Sequence, residues 1–122
     1  MWQIKRNVLA SILLAAQNCY PDEFLALLGG DAKKKIIDEL VVIPGSEYGE
    51  DFSTLRTDLV PFDESLIGSV HSHACKRIQA SPEDLLSFPR MGFVHLIAGL
   101  PFDFNSVKLF DAQGRALEYK LI

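Results

Sequence analysis

The stretch LIGSVHSHACKRIQASPED, residues 66–84, decides the fold of this chain and the chemistry that it can carry. Residues 66–73 are mostly apolar and partly β-branched up to a pair of histidines, a pattern that predicts a β-strand. Side chains two positions apart in a strand project from one face. We therefore expect the imidazoles of His71 and His73 to reach a single ion.

The end of the same stretch predicts the start of a helix. Ser81 suits the N-cap, Pro82 suits the first helical position, and Asp84 falls in the first turn. A helix cap without further function explains these residues taken alone. Together with the two histidines, however, the Asp84 carboxylate completes a three-ligand set that is typical of catalytic zinc sites, where water takes the fourth position.

The segments on either side predict an α/β fold, a single mixed β-sheet flanked by helices. Apolar residues at helical spacing predict a first helix over residues 8–16, which would open the fold. A second, short helix should run from Ser81 to about Phe88, because Pro89 and Gly92 follow it. Strands are predicted over residues 23–28, ended by Gly29 and Gly30, and over residues 35–43, 52–60, 66–73, 93–100, 106–110 and 115–121.

Length and composition bound the class of protein. A chain of 122 residues with 48% hydrophobic residues fits one domain over residues 1–122. Its net charge of −4 and its lack of a long basic run argue against nucleic acid as a partner. The two cysteines, Cys19 and Cys75, cannot build a disulfide framework, and we expect a cytoplasmic protein.

The N-terminal segment raises the question of a signal peptide, because Lys5 and Arg6 precede an apolar stretch. The helical spacing of its apolar residues favours an amphipathic packing helix instead. No apolar stretch approaches the roughly 20 residues of a membrane span, so we expect no membrane partner.

The spacing His-x-His, seven residues, Ser-x-x-Asp, downstream of a glutamate, resembles the signature of the JAMM (MPN+) metalloproteases at every position. The resemblance covers the whole chain and implies a cytidine-deaminase-like JAMM/MPN domain. It implies one Zn²⁺ per chain, bound by His71, His73, Asp84 and a water. It also implies that Glu23 acts as the general base and that the Ser81 hydroxyl stabilises the oxyanion.

Spacing alone does not choose among the glutamates of the chain. Glu23 stands just before an apolar predicted strand, whereas Glu47, Glu50 and Glu64 lie in predicted loops or polar segments. Glu83 is explained by the favourable interaction of an acidic residue with a helix start. The position favours Glu23, and the resemblance selects it.

The chain departs from the common JAMM pattern at two positions. Ala74 follows the second histidine where proline is usual, and Ala26 replaces a frequent glycine in the first strand. Neither change removes a ligand. The substitution at Ala74 leaves the conformation of residues 74–80 open.

That loop contains Cys75, for which two interpretations stay open. If the strand continued by two residues, Cys75 would share a face with His71 and His73, and could regulate the site by metal ligation or by forming a bridge. Otherwise it is a loop thiol with no role. We interpret His95, which has no ligand partner at short spacing, as a structural residue.

The resemblance implies a zinc-dependent isopeptidase that cuts after the C-terminal diglycine of ubiquitin-like modifiers, in the manner of deubiquitinases and desampylases. Its partner would be such a modifier or its conjugate, with residues 52–60 as the expected edge for the diglycine tail. One alternative is a peptidase that processes a conjugate of a sulfur-carrier protein with a ubiquitin fold. Another is a non-catalytic MPN scaffold, which the complete ligand set disfavours. Self-association as a homodimer stays open.

Overall fold

A computed structural model describes residues 1–42 and 64–122 of the chain. The predicted strand over residues 52–60 and the end of the one over 35–43 lie outside these ranges. The elements, in chain order, are β1 Trp2–Ile4, α1 Arg6–Cys19, β2 Leu25–Asp31, β3 Ile36–Val41, β4 Leu66–Ser72, α2 Pro82–Ser87, a 3-10 turn Phe88–Arg90, β5 Val94–Ala98, β6 Val107–Asp111, β7 Ala116–Leu117 and β8 Tyr119–Leu121.

The described strands form one mixed sheet in the order β7-β6-β5-β4-β2-β3-β1-β8. Strand β4 lies between β2, which runs antiparallel to it, and β5, which runs parallel to it. The prediction of an α/β fold with a single mixed sheet and flanking helices is confirmed. Because β4 is an inner strand, the histidines at its end are held by partners on both sides.

The two faces of the sheet carry different layers. Helix α1 buries one apolar stripe against the first face, where Val70 of β4 and Leu96 of β5 belong to the main core. The next residues along these strands, His71 and Ile97, point to the opposite face. There Phe88, directly after α2, packs with Ile97 and Phe110. Each large apolar side chain buried in this way stabilises the fold by roughly 1.5–3 kcal/mol.

The prediction that a helix opens the fold is wrong, because strand β1 precedes α1. Trp2 and Ile4 are buried, and β1 pairs in parallel with both β3 and β8. A strand of three residues is too short to show alternation. Its conformation depends on partners that are distant in sequence, which a local pattern cannot reveal.

The predicted end of the first strand at Gly29 and Gly30 is also wrong. Strand β2 begins at Leu25, runs through both glycines to Asp31, and contains a β-bulge between them where it pairs with β3. A Cβ atom on Gly30 would clash with the carbonyl oxygen of Ile36. Gly30 therefore permits close approach of two backbones inside a strand rather than a turn.

The predicted C-terminal strand over residues 115–121 is divided in two. Strand β7 pairs with β6 at one end of the sheet, whereas β8 pairs with β1 at the other end. Glu118 alone separates them. The sheet must therefore curl until its two ends meet, and this short segment joins both.

No helix within the described ranges is long and apolar enough to cross a membrane.

Candidate metal centre and active site

The end of strand β4 supplies two imidazoles. His71 lies in the strand and is 1% exposed. His73 follows the last strand residue, but its backbone N–H donates to the carbonyl of Ala98 at 2.8 Å, so the extended pairing with β5 continues to this position. The Nε2 atoms of the two rings are 3.1 Å apart. The structure thus brings the two predicted ligands together.

The start of helix α2 supplies a carboxylate. The Ser81 hydroxyl accepts the backbone N–H of Asp84 at 3.1 Å, and Oδ2 of Asp84 accepts the backbone N–H of Ser81 at 2.8 Å. This reciprocal capping box satisfies two N–H groups that a helix start leaves unpaired. It also fixes the Asp84 side chain, which is buried, at the start of the helix.

The three side chains converge closely enough to bind one ion. Oδ1 of Asp84 lies 3.1 Å from Nε2 of His71, and Oδ2 lies 3.4 Å from Nε2 of His73. Tetrahedral zinc with bonds of about 2.0–2.1 Å requires ligand atoms that are about 3.3 Å apart. The separations between the imidazole nitrogens and the nearer carboxylate oxygen are therefore close to those that zinc requires.

The protonation of His73 also suits a ligand. Its Nδ1 lies 2.9 Å from the carbonyl oxygen of Arg77. A carbonyl only accepts, so Nδ1 carries a proton. Burial lowers the pKa of His73, but its contacts with Asp84 and with the Arg77 carbonyl outweigh burial and raise it. Nε2 therefore donates to Asp84 in the protonated ring and offers a lone pair once a metal displaces that proton. Such a backbone contact orients the ring of a metal-binding histidine.

Asp84 is ionised at neutral pH. Burial opposes ionisation, but the hydrogen bonds with His71 and His73 and with the backbone of Ser81 outweigh it and hold the pKa of Asp84 well below its ordinary value. The carboxylate is therefore available as an anionic ligand.

Glu23 lies beside this group, just before β2. Its Oε2 accepts the backbone N–H of Ala74 at 3.2 Å, directly after the second histidine. Burial raises the pKa of Glu23, while the bond from Ala74 and the charges of His73 and His71 oppose that rise. Glu23, which was selected from the sequence, is thus a half-buried carboxylate with a raised pKa, and it lies next to the three predicted ligands.

Ser72 is a further residue of the site that the sequence interpretation missed. It is 1% exposed, and its hydroxyl accepts the backbone N–H of Phe24 at 2.8 Å. The segment that carries Glu23 is therefore bonded to the strand that carries the histidines. The position of Ser72 between two predicted ligands on a buried strand could have identified it, because a buried hydroxyl requires a hydrogen-bond partner.

Cys75 lies apart from the ligands. Strand β4 ends at Ser72, and Cys75 is exposed in the following loop, with Sγ 3.9 Å from the carbonyl oxygen of Arg77. The condition under which it would share a face with the histidines is not met. Its role as a regulatory thiol stays a prediction.

The family described as prokaryotic homologs of the JAB domain matches residues 5–110 of this chain. A Haloferax volcanii protein described as a probable metalloprotease is 29% identical over 127 residues, covering 98% of this chain and 78% of that protein.

Solved structures agree with this match. One, described as JAMM, a metalloprotease-like zinc site in the proteasome and signalosome, is 34% identical with a TM-score of 0.79, covering 100% of this chain and 98% of its own. A JAB1/MPN domain protein from Archaeoglobus fulgidus is 35% identical with a TM-score of 0.78 and 98% coverage of both chains. A Desulfitobacterium hafniense protein at 19% identity and a TM-score of 0.65 shares the fold.

The family match and the converging ligands lead to the same conclusion about the metal. His71, His73 and Asp84 form a group suited to an ion, and the similar structure is described by its zinc site. The metal of this chain is therefore zinc, and the chain belongs to the JAMM/MPN family of metalloprotease-like zinc proteins.

Proposed function

We propose that this protein is a zinc-dependent isopeptidase that hydrolyses the bond after the C-terminal diglycine of a ubiquitin-like modifier. The hydrolytic part of this proposal is supported by the Glu23 carboxylate. It accepts the N–H of Ala74 and lies beside the group of His71, His73 and Asp84. A metal site with a scaffolding role would not require a carboxylate with raised proton affinity at this place.

The residues divide the chemistry between them. Zinc, when held by His71, His73 and Asp84, supplies a Lewis acid that lowers the pKa of a water to about 7. Glu23 accepts the proton of the attacking water and passes it to the departing lysine amine. A glutamate whose pKa is raised towards neutrality serves better both as acceptor and as donor of that proton.

Ser81 is suited to bind the oxygen that becomes negative during attack. Its Oγ accepts the N–H of Asp84, which engages a lone pair and leaves the O–H able to donate. A donor placed for a developing oxyanion acts mainly in the transition state, and the loss of one such donor typically reduces turnover by about 100-fold or more.

The substrate class is supported by the family resemblance. A diglycine tail has no side chains, so it fits a narrow cleft where backbone pairing provides affinity. Strand β4 is already paired with β2 and β5, so a tail cannot add to the strand that carries the ligands. The expected edge at residues 52–60 lies outside the described residues and stays part of the proposal.

The test is incubation of the zinc-loaded protein with three substrates of defined linkage. These are a ubiquitin-like modifier joined through its diglycine to a lysine side chain, a sulfur-carrier conjugate with the same linkage, and a modifier whose terminal glycines are replaced by alanines. We expect cleavage of a diglycine-linked conjugate and none of the alanine form. Cleavage of the sulfur-carrier conjugate alone would select that alternative, and zinc binding without any cleavage would support a scaffold.

A further inference from the structure

Helix α2, which carries the ligand Asp84, has few apolar contacts of its own. It has six residues, too few for a helix to be stable in isolation, so tertiary packing must hold it. Asp84 is the one buried residue of this helix. Leu86 is 77% exposed, and Leu85, which touches the turn at Gly114, is 45% exposed.

The apolar contact that holds the helix follows directly after it. Phe88 is fully buried and packs with Ile97 and Phe110 on the face of the sheet that carries His71. Its backbone N–H donates to the carbonyl of Asp84, one helical turn earlier. A displacement of Phe88 is therefore transmitted to Asp84 through a single hydrogen-bonded turn.

The ring of His95 lies against the ring of Phe88. The two rings are stacked, with centroids 4.2 Å apart and an angle of 2° between their planes. Nε2 of His95 donates to the carbonyl of Gly92 at 3.1 Å. Nδ1 lies 2.6 Å from Oγ of Ser69 and must accept from that hydroxyl, because the neutral ring has a single proton.

His95 is thereby fixed from two elements. Ser69 belongs to β4 and lies two residues before His71, hence on the same face, whereas Gly92 belongs to the loop before β5. The ring is fully buried, and burial lowers its pKa to about 4, so it is neutral at pH 7. A neutral, doubly hydrogen-bonded ring gives Phe88 a rigid flat surface.

We propose that His95 is a positioning residue for the zinc ligand Asp84. The ring of His95 is held by Ser69, which lies on the same strand as His71. The ring fixes the position of Phe88 and, through Phe88, the position of the end of α2. The distance between the carboxylate and the histidines then depends on the stack of His95 on Phe88. This inference rests on zinc binding and is independent of the proposed hydrolysis.

The test compares zinc affinity in folded variants by competition with a chromophoric chelator. His95→Gln keeps a donor for the carbonyl of Gly92 but removes the flat ring. We expect it to weaken zinc binding by about tenfold or more, the usual effect of losing a residue that orients a ligand. The absorption bands of the Co²⁺-substituted protein should also change, because the ligand geometry changes.

The matched control is Leu109→Ala, a buried residue of β6 in the core under α1, away from Phe88. At a similar loss of melting temperature, its zinc affinity and Co²⁺ spectrum should equal those of the parent. Should His95→Gln not fold, Ser69→Ala removes one support of the ring and should weaken zinc binding in the same direction.

The proposal would be overturned if the folded His95→Gln protein, or Ser69→Ala in its place, bound zinc within about twofold of the parent with an unchanged Co²⁺ spectrum. An equal weakening in Leu109→Ala would also overturn it, because general destabilisation would then explain the effect. Cleavage is not measured in either comparison, so failure of the proposed hydrolysis would leave this result unaffected.

Discussion

Asp84 serves the helix and the metal with the same carboxylate. Oδ2 accepts the N–H of Ser81, while Oδ1 lies 3.1 Å from Nε2 of His71. The helix-cap interpretation and the metal interpretation of Ser-x-x-Asp are therefore not alternatives. The cap restricts the rotamer of the ligand, so less conformational freedom remains to be lost when zinc binds.

The loss of activity at low pH should reflect protonation of the Glu23 carboxylate. This carboxylate must be ionised to accept a proton, so activity should rise as pH rises through its pKa. Burial raises the pKa of Glu23 and a zinc ion beside it would lower it, so we expect an acid limb that is present in the parent and lost in Glu23→Gln. The measurement is kcat/KM against pH, with zinc content determined at each pH. An acid limb that persists unchanged in Glu23→Gln, with zinc retained, would contradict the assignment.

His95 should make the fold sensitive to mild acid. Its native pKa of about 4 lies below the ordinary 6.5, so the unfolded chain binds the proton more tightly. Its contribution is intact above pH 6.5 and is lost as pH falls towards 4, by roughly 3 kcal/mol in total.

Denaturant unfolding of the metal-free protein between these pH values measures this loss. His95→Gln should remove most of the dependence, although its stability at neutral pH will also be lower. The charges of His71 and Asp111 act on the His95 ring and are present in both proteins. Parallel curves for parent and variant would show that His95 does not cause the dependence.

At the residue scale, the sequence selected three side chains that the fold brings together, because zinc coordination requires particular side chains at particular spacings. Glu23 was harder to select, because fifty residues separate it from the ligands and its role depends on the long-range bond to Ala74. The hydrogen bond from Phe24 to Ser72 and the stacking of Phe88 on His95 could not be predicted from the sequence. Both depend on pairings that exist only in the folded chain.

At the scale of elements, helix α2 is expected to depend on Ser81 for both stability and chemistry. Ser81→Ala removes the acceptor of the Asp84 N–H, which should cost about 1 kcal/mol of unfolding free energy. It also removes the proposed oxyanion donor, which should lower turnover by about 100-fold. Thermal unfolding and kcat are the two measurements.

Ser81→Thr is the matched control, because threonine keeps both the cap and the hydroxyl donor. It should retain most of the stability and the turnover. Full turnover in Ser81→Ala at a reduced melting temperature would assign Ser81 to the helix alone.

Most elements were predicted from sequence, including the short capped helix α2, whereas strand β1 and the division of the last strand were not. Helix α1 shows a helical period that gives its packing face, whereas strands β4 and β5 are apolar runs that are buried on both faces. Strand β1 and the division of β7 from β8 arise from sheet closure, which couples the first and last residues of the chain. Local patterns contain no information about that coupling.

At the scale of the whole molecule, zinc would join two elements that follow each other along the chain. It connects the end of β4 with the start of α2 across the loop of residues 74–80. An ion that binds the folded state alone stabilises it by about 2.7 kcal/mol when its concentration is 100 times Kd. Chelation should therefore lower the melting temperature of the parent protein.

His73→Ala is the control for this prediction, since it removes a ligand at a position that is only partly buried. Its melting temperature should not respond to chelator or to added zinc. A parent protein whose melting temperature is also unaffected would show that zinc does not stabilise this fold.

In the proposed mechanism, Glu23 acts as the base at a zinc centre that hydrolyses an isopeptide bond. The most direct measurement is single-turnover cleavage of a diglycine-linked lysine conjugate by the parent and by Glu23→Gln, with zinc content measured in both. Glutamine keeps an oxygen for the N–H of Ala74 but cannot take a proton. We predict full zinc in both proteins and a loss of about 100-fold or more in the variant. Equal rates at equal zinc content would show that Glu23 is not the base.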